Sequence, residues 1–145
     1  MADATKTETI LFVGIAEGDG VCLDKILLDS NWQSHGVGTC QQALDFLDGH
    51  HASVVLSEPE LSDGSWRDLL HGMASLSAPP SLIISSRLAD HHLWAEVLNL
   101  GGFDVLMTPF EEEEVLRVTG SAQRDWGRKQ VEGVVRAAHF EVCAL

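Results

Sequence analysis

The stretch Ala52-Ser53-Val54-Val55-Leu56-Ser57-Glu58-Pro59-Glu60-Leu61-Ser62-Asp63-Gly64 decides how this chain is read. Its first half is a short apolar run of the kind that forms a strand buried on both faces, and its second half is a loop of turn formers. A strand predicted over Val54–Leu56 therefore delivers a carboxylate, Glu58, to its carboxyl end. In open sheets with helices on both faces, that end is where sites are built.

The same alternation extends in both directions. Upstream, Ile10-Leu11-Phe12-Val13 is a continuous apolar run broken at Gly14. After the turn Glu17-Gly18-Asp19-Gly20, the residues Val21, Cys22, Leu23, Ile26 and Leu27 recur at helical spacing, predicting a helix to about Ser30. A weaker second strand is expected over residues 34–38, and Ala43, Leu44 and Leu47 mark a short helix ended by Gly49. Downstream, Trp66, Leu69, Leu70 and Met73 form an i, i+3, i+4, i+7 stripe, closed by Pro79-Pro80. Leu82-Ile83-Ile84 is a fourth strand ending in Ser85-Ser86. Leu93, Val97 and Leu100 lay out the core stripe of a helix stopped by Gly101-Gly102, and residues 103–107 give a fifth strand. Glu111 to Glu114 then load a helix start with the negative charge its dipole favours, and Val115, Thr119, Ala122 and Trp126 continue one face. Five apolar strands alternating with five helices predict a three-layer, doubly wound α/β fold around a parallel sheet.

A length of 145 residues suits one domain with a real hydrophobic core. The folded unit is expected over residues 9–126, behind a loose polar N-terminus at 1–8. Residues 127–145 are read as a C-terminal helical extension, a linker or a self-association segment. Lys and Arg number 9 against 22 Asp and Glu, a net charge of -13, which repels phosphate backbones and anionic lipid and argues against nucleic-acid or membrane partners. Cys22, Cys40 and Cys143 form no Cys-x-x-Cys, so neither a disulfide framework nor a zinc site is suggested. With no signal-peptide pattern and no apolar run of membrane-spanning length, a cytoplasmic location is expected.

Several chemistries lack support. The loop from Gly14 to Gly20 contains neither Gly-x-Gly-x-x-Gly nor Gly-Lys-Ser/Thr, so no phosphate cradle is indicated. His50-His51 and His91-His92 are adjacent pairs that point to different sides, which is poor geometry for a shared metal. No Gly-x-Ser-x-Gly occurs, and Ser85-Ser86 has no base in its sequence neighbourhood.

With these residues in view, the chain from Thr9 to Arg124 resembles the receiver domain of two-component response regulators, the CheY-like superfamily. The resemblance implies a flavodoxin-like (βα)5 fold with strand order 2-1-3-4-5. In that family the first strand ends in an acidic pair; here those positions hold Gly14 and Ile15. The family's phospho-accepting Asp, followed in many members by x-x-Leu-Pro-Asp-Gly-Ser-Gly, aligns with Glu58 ahead of Pro59-Glu60-Leu61-Ser62-Asp63-Gly64-Ser65-Trp66. The switch hydroxyl aligns with Ser85, in Ser81-Leu82-Ile83-Ile84-Ser85-Ser86-Arg87. The Lys of Lys-Pro-Phe aligns with Thr108, ahead of Pro109-Phe110, and the switch aromatic with Val105. The corresponding X-Pro bond is commonly cis in the family, so Thr108-Pro109 is expected to be cis.

What the resemblance implies for function divides accordingly. Phosphotransfer to Asp needs Mg²⁺ on acidic oxygens and a cation for the product. Gly14 and Ile15 supply no ligand, and Thr108 no ammonium. The expectation is a degenerate pseudo-receiver: not an enzyme, with no catalytic residue, no cofactor and lost or weak Mg²⁺ binding. It would act by protein-protein interaction with a histidine kinase, an output domain or another regulator, or as a homodimer through its fourth and fifth units. A further expectation is that Ser85 points toward Glu58. The alternative is a phospho-accepting, Mg²⁺-dependent regulator with an atypical site, in which Glu17 or Asp19 rebuilds the acidic cluster. An unrelated flavodoxin-like carrier or enzyme is a third reading, for which no cofactor loop is visible.

Overall fold

The apolar runs pair side by side in one parallel sheet. The computed structural model describes residues 8–88 and 91–144, with side chains through residue 132. Its elements are β1 (Glu8–Val13), α1 (Glu17–Leu27), β2 (Trp32–Val37), α2 (Cys40–Gly49), β3 (Val54–Ser57), β4 (Glu60–Leu61), β5 (Gly64–Ser65), α3 (Trp66–Met73), β6 (Ser81–Ser86), α4 (His91–Leu100), β7 (Asp104–Met107) and α5 (Glu112–Ala144). The main sheet is parallel throughout, in the order β2-β1-β3-β6-β7. With the small β4-β5 hairpin set aside, this is the order 2-1-3-4-5.

Side chains alternate across a strand, so each central strand feeds two cores. Leu11, Val13, Val55, Leu82 and Ile84 pack with Ala43, Leu47, Leu69, Met73 and Val97 on the side of α2, α3 and α4. Ile10, Phe12, Val54, Leu56, Ile83 and Leu106 pack with Leu23, Leu27, Val115, Val118 and Ala122 on the side of α1 and α5. Burial on both faces is why these strands read as unbroken apolar runs. Each fully buried Leu or Ile contributes about 2 kcal/mol.

Several boundaries and one core assignment differ from expectation. β1 begins at Glu8, inside the segment read as loose; the rest of that segment lies outside the described residues. β2 spans Trp32–Val37, not 34–38, because the buried Trp32 anchors an otherwise polar strand. α1 ends at Leu27. Leu100 does not join the core stripe of α4: it is 52% exposed, whereas Val97 is fully buried. The helix stops there in a Schellman arrangement, with the Gly102 N–H donating to Val97 O at 2.7 Å and the Gly101 N–H to Leu98 O at 3.3 Å. Gly101 has φ +108, a conformation that favours glycine, and the unwinding chain turns Leu100 to solvent. α5 runs without interruption through Ala144, so residues 127–144 continue it as helix. The side chain of Cys143 lies outside the described residues.

Candidate functional site

The carboxyl ends of β1, β3 and β6 open onto one mouth. β3 ends at Ser57, and Glu58 stands one residue past it, its N–H still donating to Val13 O at 3.1 Å. Gly14 faces it across the mouth with φ +68, its N–H bonded to Val37 O at 2.9 Å. A Cβ on Gly14 would lie 3.8 Å from the Cβ of Glu58 and only 2.6 Å from Cδ2 of Leu61. A side chain at position 14 would therefore meet the tip of Leu61, which would have to shift, and φ +68 is a conformation that glycine adopts most freely. Ile15 packs against the α1-α5 core.

Leu61 is delivered by the β4-β5 hairpin, which is fastened in turn by Asp63. The Asp63 carboxylate accepts from the Cys40 N–H at 2.8 Å and the Gln41 N–H at 3.0 Å, adding to the Thr39 hydroxyl that accepts from the Gln42 N–H at 3.1 Å. Those helix-end donors, Gln41 first and Cys40 second, hold the Asp63 carboxyl below the usual aspartate range. At the hairpin's far end, Ser65 and Asp68 form a reciprocal capping box that starts α3.

Glu58 is half-buried, and burial pushes its pKa above the usual glutamate range. The Ser85 hydroxyl and the Arg87 guanidinium lower it, and Asp19 raises it. Ser85 is fully buried and its Oγ has no hydrogen-bond partner among the described residues. The hydroxyl is thus near enough to favour the charged carboxylate, without the geometry of a formed bond. Arg87 lies 3.7 Å from Asp19. The mouth holds two carboxylates and one guanidinium, brought from three elements.

The remaining aligned positions lie on the β6-β7 side of the sheet. Thr108 donates its N–H to Ser86 O at 2.8 Å, and its hydroxyl approaches the same oxygen at 3.5 Å, which ties it to β6. The Thr108-Pro109 bond is cis. Val105 sits opposite Ile84 in the sheet and packs, half-buried, on the α4-side core. Trp94 on α4 is 48% exposed, its Nε1 donating to Asp104 at 3.3 Å, and Leu98 on α4, Met107 on β7 and Leu116 on α5 are exposed as well.

Mg²⁺, which the resemblance implies, does not fit this donor set. Positions 14 and 15 offer no oxygen side chain, Leu61 covers Gly14, and Asp19 is paired with Arg87. Among the described residues no three His, Cys, Asp or Glu side chains could hold a metal ion.

Two residues in this arrangement had no role in the sequence reading. Arg87 lies past the end of β6, where the alternation of a strand no longer holds, and it is exposed whereas Ser85 is buried, so no local pattern marks it. Leu61 sat inside the matched loop, but only the fold shows it reaching back over Gly14.

No protein-family model matches the sequence, and no curated protein does. Among solved structures, the chain is similar to the signal receiver domain of a putative Luxo repressor protein from Vibrio parahaemolyticus, with TM-score 0.78, 17% identity, and 86% of this chain and 95% of that one covered. It is also similar to the signal receiver domain of an HD domain-containing protein from Pseudomonas fluorescens Pf-5, with TM-score 0.73, 22% identity and coverage of 83% and 98%. A response regulator receiver domain protein from Methanospirillum hungatei JF-1 gives TM-score 0.73, 17% identity and coverage of 84% and 98%. The chain has the receiver fold.

Proposed function

We propose that this chain is a signal-transduction receiver module of two-component type that has kept the scaffold and given up phosphotransfer. It works by protein contact, in the cytoplasm, with Glu58 standing where receivers carry the phospho-accepting Asp. One observation carries the reading: Leu61 covers Gly14 where a metal-binding carboxylate would sit. Arg87 supports it, because its positive charge is felt at Glu58, where Thr108 carries none. The exposed apolar face around Trp94 suits a histidine kinase, an output domain, another regulator or a second copy, since aromatic side chains are favoured interface anchors. A second reading, the atypical Mg²⁺-dependent acceptor, draws on Asp19, whose charge is felt at Glu58. It ranks lower because positions 14 and 15 add no oxygen ligand to Asp19 and Glu58.

Intact mass after incubation with acetyl phosphate and Mg²⁺ separates the two readings. The expected result is no adduct. A labile gain of one phosphate, abolished by Glu58→Gln, would establish the acceptor.

A further inference from the structure

Away from the mouth, the two edges of the sheet are unequally protected. β7 is short and begins with Asp104, whose carboxylate takes the Trp94 N–H. β2 is six residues long and pairs with β1 alone, and Gln33, Ser34, His35 and Gly36 are all exposed. It has none of the usual edge guards, neither Lys, nor Pro, nor an inward charge. One side of it is covered: His35 stacks on Phe46 at 4.4 Å, and Phe46 on His50 at 4.5 Å. The other side, where Ser34 and Gly36 lie in register with Ile10 and Phe12, opens into a groove of 630 Å³ between β2 and α1.

The groove exists because small residues face it. A Cβ on Gly20 or Gly36 would meet nothing within 4 Å. Phe12 and Ile15 contribute apolar surface, and Glu17 and Asp24 contribute carboxylates, Asp24 accepting the Ser34 hydroxyl at 2.7 Å across it. A free ladder beside a groove that can take alternate side chains is the arrangement used in strand addition. A helix would leave the ladder unpaired. A second copy would bring the same acidic rim to a chain already at -13.

We infer that β2 is a docking edge for an extended, basic segment of a partner protein, which adds as a sixth strand and sets aliphatic side chains into the groove beside Phe12 and Ile15. Its Lys or Arg residues meet Glu17 and Asp24. The site is separate from Glu58 and holds whether or not Glu58 accepts a phosphoryl group.

The test uses the full isotopically labelled chain and the synthetic peptide Lys-Val-Arg-Ile-Lys-Val-Arg, followed by amide spectra and hydrogen exchange. Binding should slow exchange at alternate amides within residues 33–37 and weaken as salt is raised. Glu17→Lys should weaken it about tenfold, as should Gly36→Val, which fills the groove yet suits a strand. Unchanged melting of both variants excludes unfolding as the cause. Absence of protection in β2, equal binding of a Glu-Val-Asp-Ile-Glu-Val-Asp peptide, or shifts confined to the Glu58 mouth or the Trp94 face would each overturn the proposal.

Discussion

The middle of the sheet and the mouth above it are built on the same three strands, β1, β3 and β6, and obey different constraints. In the middle, Ile10, Leu56 and Ile83 on one side and Leu11, Val55 and Ile84 on the other are completely buried, and any apolar residues of similar volume would serve. At the mouth individual groups decide what chemistry is possible, and the positions that the resemblance aligns with receiver site residues hold Gly14, Ile15, Glu58 and Thr108. These positions fit one another: glycine at 14 leaves room for Leu61, Arg87 lends Glu58 a positive charge, and Thr108 bonds back to Ser86. A fold is thus held by volume and pattern, and an activity by individual groups, so one can outlast the other.

The contrast can be broken first in the middle. Ile83→Ala should cost about 2–5 kcal/mol by urea denaturation, because it leaves a cavity between β6 and the α1-α5 core. Glu58→Gln should stay within about 1 kcal/mol by the same measurement, since it removes a charge that burial disfavours. A large loss at Glu58 would make the mouth part of the core.

Leu61→Ala probes the join between the regions. Leu61 is half-buried against the α2-α3-α4 core, so its truncation should cost about 1–2 kcal/mol in denaturant unfolding. A cost near zero would leave Leu61 with no packing role over Gly14.

The smallest effect is at Asp63, and it depends on pH. Its folded pKa is held below the usual aspartate range, so its contribution is present above the unfolded value and is lost as pH falls through the folded one. Thermal melts of the parent chain and Asp63→Asn should therefore differ at neutral pH and converge in acid. Curves separated equally at all pH values would mean that the carboxylate charge plays no part in holding α2.

How much of this was legible follows from the same division. Continuous apolar runs such as Ile10–Val13 and Leu82–Ile84 identify buried strands because period and composition agree, and the parallel sheet follows from them. Trp32 was missed because a single aromatic in Trp-Gln-Ser-His-Gly-Val carries no period, and Leu100 was misplaced because its spacing continues past the point where Gly101-Gly102 unwinds the helix. At the mouth, alignment alone brings Gly14, Glu58 and Ser85 together in the reading. The groups that surround them, Leu61 from a two-residue strand, Asp63 from its turn and Arg87 from beyond β6, meet only through long-range contacts that no local pattern encodes.

That the chain itself sets the charge of Glu58, burial opposing it and Arg87 favouring it, is the point on which the reading of the mouth turns. It is tested most directly by following the side-chain carboxyl carbon resonance of Glu58 with pH, in the parent chain and in Arg87→Ala. Burial raises this pKa and Arg87 opposes the rise, so the parent should titrate above the usual glutamate range and the variant higher still. An ordinary pKa in the parent, unmoved by loss of Arg87, would contradict the account.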